Sequence, residues 1–284
     1  MRRIYGIDFS GAKDAGSKIW ISSGVISENI LQIDKCCPAS EISGSATERD
    51  QCLAALREFI SKQTNAVFGL DFPFGLPEEV IKKFFEANTW EKFVNSLRQN
   101  FSTAKEFNKA CKIVLQGEKS KRKTDICTKT PWTPYFWMIR KQTYYGICYI
   151  LQPLIQHDTV CVLPMQKQCK GKPLLIEICP ASTLKSLNCY YHYHYKGNKP
   201  DHEKDRGKIL DNLEDSGMLA IKDSVVRNKI KIENKGGDAL DSVIAAFETY
   251  RALKNDYAHQ SNCYNPVEGC VYLDKGTLGH ELVA

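Results

Sequence analysis

The chain has 284 residues, of which 43% are hydrophobic and 25% are charged, and its formal net charge is +6. This ordinary globular composition excludes a low-complexity chain and allows one large domain or a core with a sizeable insertion. The first residues run directly into a strand-like pattern without an apolar leader. The longest apolar stretch, residues 144–155, is too short and too interrupted to span a bilayer. We therefore expect a soluble, cytoplasmic protein without membrane contact.

Twelve cysteines are scattered between Cys36 and Cys270 without Cys-x-x-Cys pairs. Zinc fingers and ribbons need paired ligands at short spacing, and disulfide scaffolds are usually short secreted chains. We therefore interpret most of these cysteines as small buried hydrophobic side chains in a reducing cytosol.

The first 76 residues predict a strand meander, a helix and a further strand. The predicted order is strands over residues 3–9, 17–23 and 25–33, a helix over 47–60, and a strand over 66–71. Asp8 and Asp71 each stand at the carboxyl end of a predicted strand. A meander followed by a helix and a strand that returns beside the first strand is the start of an RNase H-like topology.

The pattern changes to amphipathic helices over residues 77–170, and an apolar strand around Glu177 follows. Helices are then predicted near 203–216 and from Asp238 to about Leu253. We predict an α/β fold: an RNase H-like mixed five-stranded sheet flanked by helices, with a large, mostly helical insertion between core strands. The predicted domains are the core, residues 1–76 and 171–284, and the insertion subdomain, residues 77–170.

Charge is distributed unevenly between the insertion and the core. Residues 78–170 hold 16 Lys and Arg against 8 Asp and Glu, whereas the rest of the chain holds 23 against 25. A basic segment attached to an acidic site is typical of an enzyme that acts on a polyanion. A solvated, lysine-rich helical surface explains the same numbers equally well.

Five acidic residues form the predicted catalytic set: Asp8, Asp71, Glu177, Asp238 and Asp241. Most have an ordinary explanation as turn or helix-cap residues, but Glu177 interrupts an apolar run, where an unpaired carboxylate is costly. Asp238 and Asp241 are three residues apart, so both can point from one helix face. Converging carboxylates repel one another unless a cation neutralises them, and Mg²⁺ or Mn²⁺ suits such an oxygen site. Two such metals can activate a water and stabilise the leaving oxygen in phosphodiester cleavage.

Short motifs carry a resemblance to a known family. They are residues 6–11 (GIDFSG), 69–73 (GLDFP), 176–181 (IEICPA), 237–246 (GDALDSVIAA) and 268–273 (EGCVYL), with looser matches at 122–125 (RKTD) and 140–143 (RKQT). In order and spacing, from about residue 4 to 273, they resemble a domain-of-unknown-function family described as predicted RNase H-like nucleases. The last motif is similar to that family's closing strand. The resemblance implies an RNase H-like fold with Asp8, Asp71 and the Asp238/Asp241 pair as metal ligands.

Roles within the acidic set follow as hypotheses. Asp8, Asp71 and Asp241 would bind the metals, and Glu177 and Asp238 would support them or serve as alternative ligands. The insertion supplies candidates for substrate binding, because residues 119–141 are rich in Lys and Arg and have aromatic residues interleaved or adjacent. Such residues can neutralise phosphates and stack on unpaired bases, although most of the aromatics are better explained as the core of the insertion. The candidate substrate-binding residues are Lys13, Arg122, Asp125 and Arg140.

Residues 190–195 (YYHYHY) place His192 and His194 on one strand face, but two histidines without a third ligand make a poor metal site. We interpret this stretch as an exposed aromatic loop or strand. The predicted function is a divalent-metal-dependent nuclease or phosphodiesterase with nucleic acid as its partner. An actin-like nucleotide-dependent phosphotransferase, indicated faintly by residues 8–13 (DFSGAK), and a catalytically silent nucleic-acid-binding module remain alternatives.

Overall fold

The computed structural model describes residues 2–115, 120–190, 194–259 and 261–274, which form an α/β fold around one mixed seven-stranded sheet. The strands are β1 (Arg3–Asp8), β2 (Trp20–Ser27), β3 (Ile30–Pro38), β4 (Ala66–Asp71), β5 (Cys161–Val162), β6 (Leu174–Glu177) and β7 (Leu219–Ala220). Their order across the sheet is β5-β6-β4-β1-β2-β3-β7. The prediction of five strands is wrong, because the edge strands β5 and β7 pair over only two residues each. Two residues are too few to produce an alternating pattern in a sequence.

Strands β1, β2 and β3 form an antiparallel meander, whereas β4, β6, β5 and β7 pair in parallel with their neighbours. The β2–β3 turn lies later than predicted, at Glu28 and Asn29, which have φ angles of 52° and 60°. Positive φ at both central residues is the geometry of a two-residue type I′ hairpin. Gly24, where the sequence pattern ends the strand, instead lies inside β2. Glycine is needed at this position because a Cβ would come within 2.3 Å of the Gln32 carbonyl oxygen.

The helices follow the predicted distribution. They are α1 (Ala15–Lys18), α2 (Arg49–Ser61), α3 (Glu78–Phe85), α4 (Trp90–Asn100), α5 (Ala104–Val114), α6 (Lys123–Cys127), α7 (Arg140–Gly146), α8 (Gln152–Gln156), α9 (Pro180–Ser186), α10 (Pro200–Asp215), α11 (Ser224–Asn228) and α12 (Asp238–Lys254). Short turns of 3₁₀ or π geometry lie at Ala39–Glu41, Ile147–Leu151, Lys229–Glu233 and Ser261–Cys263. The predicted helices over 47–60, near 203–216 and from Asp238 correspond to α2, α10 and α12. Residues 77–170 are mostly helical, as predicted, and also contain β5.

Helix α12 is buried along most of its length and packs directly on the backbones of β1 and β4. A Cβ on Gly6 of β1 would lie 2.1 Å from the backbone nitrogen of Ala246. A Cβ on Gly69 of β4 would lie 1.9 Å from the hydroxyl of Thr249. These two glycines therefore allow the helix to approach the sheet closely, which brings its first turn to the carboxyl ends of both strands.

Alternating side chains of the central strands enter two hydrophobic clusters, one on each face of the sheet. Tyr5 and Ile7 of β1 pack with α2 and with the apolar faces of the helices in residues 77–170. Ile4 packs in the other cluster with α10 and α12. The predicted insertion thus shares one hydrophobic cluster with a face of the sheet.

The structure pairs four of the cysteines, Cys127 with Cys263 and Cys161 with Cys169, as disulfides. Seven of the other eight are buried, which agrees with their interpretation as small hydrophobic side chains, whereas the four paired cysteines do not fit it. Within the described ranges, every helix is too short or too polar to cross a bilayer.

Candidate functional site

Four of the predicted acids meet at the carboxyl ends of β1 and β4. Asp8 and Asp71 are partners in the parallel register, and the charge of Asp71 acts on the carboxyl group of Asp8. Asp238 is the first residue of α12, and Asp241 follows one turn later, after Gly237 turns the chain into the helix with a φ of 85°. All four line one cavity of about 570 Å³.

Mutual repulsion and burial change how these carboxyl groups ionise. Burial, the larger cause, and the neighbouring Asp241 carboxylate, the second, raise the pKa of Asp8 well above its ordinary value. The same two causes raise the pKa of Asp71 to about 8. Burial also raises the pKa of Asp238. In the absence of a cation the pair Asp8 and Asp71 therefore retains a proton near neutral pH, as expected for two carboxyl groups that cannot both ionise.

Lys196 supplies a positive charge inside this acidic cluster. Its Nζ lies 2.5 Å from Oδ2 of Asp241, and the Tyr195 hydroxyl donates to Oδ1 of Asp241 at 2.7 Å. Burial on its own would lower the pKa of Lys196, but the carboxylates of Asp241 and Asp8 outweigh it, so this pKa is raised. The ammonium group therefore partly neutralises the cluster, and both oxygens of Asp241 are engaged.

The loop that carries Lys196 is fixed by backbone contacts. The buried guanidinium of Arg206, in α10, donates to the carbonyl oxygen of Tyr195 at 2.7 Å, and the Gly197 amide donates to the Lys235 carbonyl at 2.8 Å. Tyr195 is fully buried, so its interpretation as part of an exposed aromatic stretch is wrong. Lys196 and Tyr195 were missed because only the tertiary fold brings this loop to α12.

The two histidines of that stretch have separate outcomes. His194 is exposed, and its Nδ1 lies 2.8 Å from the Asp205 carboxylate, on the side of α10. His192 lies outside the described residues.

Glu177, at the end of β6, lines the same cavity but is paired with Arg122. Its Oε1 accepts from Nη2 of Arg122 at 2.6 Å, and its Oε2 accepts from Nη1 at 2.9 Å and from the Phe74 amide at 2.9 Å. Arg122 also donates to both carboxylate oxygens of Asp125, at 2.7 and 3.0 Å. All three side chains are almost completely buried. Glu177 is therefore oriented by an ion-paired network, separately from the carboxyl groups around Lys196.

The same network contains Glu268, which sequence reasoning noted only as part of a motif. Its carboxylate accepts from the backbone amides of Glu78 and Lys123, both at 2.8 Å, and its carbonyl accepts from Arg122 at 3.3 Å. The closing segment thus connects the helices of 77–170 to the site. This segment was expected to form a strand, but it forms isolated β-bridges instead. One of them pairs Val271 with Glu177 in parallel.

Two of the predicted substrate-binding residues lie away from the cavity lining. Lys13 is exposed, and its carbonyl accepts from the Arg49 amide. Arg140 is half-buried and donates to the carbonyl of Trp137. The cavity instead receives the exposed side chain of Lys18, whose charge acts on Asp238. Arg122 and Asp125 do line the cavity, although each is engaged by the other.

The donor chemistry of the cluster fits a hard divalent cation. Asp8, Asp71 and Asp241, with Asp238 beside them, offer only carboxylate oxygens, which Mg²⁺ and Mn²⁺ prefer. Burial and the neighbouring Asp241 carboxylate raise the pKa of Asp8 and of Asp71, and a bound cation would favour the charged form of both. Among the described residues, no three Asp, Glu, His or Cys side chains already converge into a metal-binding group. Because Lys196 contacts Asp241, a cation bound there would replace the ammonium group.

Comparison of the chain with protein-family models, with curated proteins and with solved structures finds no match. The chemistry of the site follows from its own residues.

Proposed function

We propose that this chain is a divalent-metal-dependent nuclease or phosphodiesterase built on an RNase H-like core. Support for the fold comes from the strand order β3-β2-β1-β4-β6, in which an antiparallel meander is followed by two parallel strands. Helix α2 makes the crossover from β3 to β4, as the predicted topology requires. Strands β5 and β7 extend this arrangement at its two edges.

One observation carries the functional proposal: carboxyl groups from β1, β4 and α12 meet on one cavity and repel one another. Asp8, Asp71 and Asp241 would hold the metal, and Asp238 would adjoin them. When bound, divalent cations supply activation of a water and stabilisation of the leaving oxygen in phosphodiester cleavage.

The remaining residues of the site position this set. Arg122 holds the carboxylate of Glu177, which stands at the end of β6 beside β4. Tyr195 fixes one oxygen of Asp241 through its hydroxyl. The excess of basic residues over 78–170 supports a polyanionic substrate, because Lys and Arg neutralise phosphates.

The test uses labelled single-stranded, duplex, hybrid and branched nucleic acids with Mg²⁺ or Mn²⁺. Asp8→Asn is compared with Asp14→Asn, which changes an exposed acid outside the site. We expect metal-dependent cleavage by the wild type and by Asp14→Asn, and loss of cleavage in Asp8→Asn. We also expect Mn²⁺ to raise the Tm of the wild type but not that of Asp8→Asn. An absence of both cleavage and a Mn²⁺-dependent rise in Tm in the wild type would contradict the proposal.

A further inference from the structure

The cavity that holds the acids has a second, apolar part of its lining. One segment between α6 and α7 contributes four residues to this part, Pro131, Trp132, Met138 and Ile139. We call these four residues the apolar wall. A cavity lined by both acidic and apolar groups is suited to a ligand that has both a charged and an apolar portion.

The apolar wall is anchored to the acidic site at both of its ends. At the start, the Thr130 amide donates to the Asp125 carbonyl at 3.0 Å, and Lys121 Nζ donates to the Thr130 carbonyl at 2.7 Å. At the end, the side-chain amide of Gln142 donates to the carbonyl of Asp71 itself. The wall therefore has a defined position relative to the carboxyl groups.

Trp132 is the aromatic member of the wall, and its ring is held by a neighbour. The rings of Trp132 and Phe136 are stacked, with centroids 4.4 Å apart and an angle of 2° between the planes. This contact covers one face of the indole, while Trp132 still contributes to the cavity surface. Close by, the side chain of Met138 is 54% exposed. An oriented aromatic ring beside exposed apolar surface is characteristic of a site that binds a planar, apolar group.

We propose that the apolar wall is a base-stacking subsite, and that the substrate is an unpaired nucleotide within single-stranded nucleic acid. This inference rests on the proposed function, which brings the adjoining phosphodiester to the carboxyl groups. A cavity of about 570 Å³ is in the size range of small-molecule sites, so it suits one nucleotide unit and not a stack of base pairs. A base inside a duplex is already stacked and must leave the helix before it can contact Trp132. Stacking on an aromatic ring tolerates any base, so we expect little sequence preference.

The experiment measures binding by fluorescence anisotropy, with Ca²⁺ in place of Mg²⁺ so that binding is separated from cleavage. The probes are a labelled mixed-sequence single strand, as DNA and as RNA, the same strand with abasic positions, and the corresponding blunt duplex. Trp132→Leu is compared with Trp132→Phe, which keeps a ring. Trp137→Leu is the matched control, because Trp137 is 58% exposed and lies outside the cavity lining.

We expect the wild type to bind the normal single strand about tenfold or more tightly than the abasic strand or the duplex. Trp132→Leu should lose this preference, whereas Trp132→Phe and Trp137→Leu should retain it, with the Tm of each variant checking the fold. Equal binding of normal and abasic strands, tighter binding of the duplex, no binding of any strand, or an unchanged preference in Trp132→Leu would each overturn the inference. Cleavage in Mn²⁺ is scored separately: a base preference without cleavage refutes only the proposed nuclease activity, and cleavage without a base preference refutes only the subsite.

Discussion

Replacing Lys196 by methionine should tighten divalent-metal binding, because the ammonium group and a metal ion compete for the same carboxylates. Lys196 Nζ lies 2.5 Å from Asp241 Oδ2, and the charge of Asp8 also acts on it. Two unit charges at about 4 Å interact by about 4 kcal/mol at an effective dielectric constant of about 20. The lysine side chain is 34% exposed, so solvent screening should reduce this to about 2 kcal/mol. This corresponds to a Kd for Mn²⁺ about 30-fold lower in Lys196→Met than in the wild type.

Isothermal titration calorimetry with Mn²⁺ at fixed pH and ionic strength measures this change directly. Lys199→Met is the matched control, because Lys199 is exposed at the start of α10 and should leave the Kd unchanged. Without metal, Lys196→Met should also unfold at a lower temperature than the wild type, because the Asp241 carboxylate loses its ion pair with the lysine. If Lys196→Met bound Mn²⁺ with the same or weaker affinity, the ammonium group would not compete with the metal, and the reasoning would be refuted.

Three further predictions concern stability. Arg122→Met should lower the free energy of unfolding in urea by about 3–5 kcal/mol, because it leaves two buried carboxylates unpaired. Arg140→Met, the control, should change it little. Similar values for both variants would contradict the buried network. Gly6→Ala should lower the Tm strongly, because the new Cβ would meet the backbone of α12, and an unchanged Tm would refute this close packing. The pKa of Asp71 is raised from 3.8 to about 8, so above pH 3.8 the unfolded chain loses a proton that the folded chain keeps. Without divalent cations the free energy of unfolding should therefore fall as the pH rises towards 8, and Mn²⁺ should oppose the fall. If urea titrations across this pH range showed that the contribution of Asp71 rises instead, this prediction would be refuted.

The parts of the fold that the sequence predicts are those with local patterns. Strands β1 and β4 are short apolar runs that end in an acid, and their parallel pairing puts Asp8 beside Asp71. Helix α12 is recognisable from its apolar periodicity and from the glycines before it. The β2–β3 turn was misplaced because glycine is the usual mark of a turn, whereas Gly24 is used for close contact between strands and the turn itself contains Glu28 and Asn29.

The parts of the site that the sequence does not predict depend on contacts between distant segments. Lys196 contacts Asp241 from a loop that Arg206 holds through the Tyr195 carbonyl, and no local periodicity in the sequence indicates such a contact. Glu177 was recognised as a costly buried acid, but its partner, Arg122, is 55 residues away in the chain. Burial can therefore be inferred from a pattern, whereas the identity of the compensating charge requires the fold.

The direct contact of α12 with the sheet has a consequence for how the chain can vary. At Gly6 the helix rests on the strand through main-chain atoms, and at Gly69 it does so through the hydroxyl of Thr249, so neither strand has room for a side chain at these positions. We therefore expect exchanges among the surrounding aliphatic residues to alter the volume of the core with little effect on the offset between Asp8 and Asp241. The spacing of the acids should therefore depend little on which aliphatic residues fill the core, and a redesigned core should leave the geometry of the site unchanged.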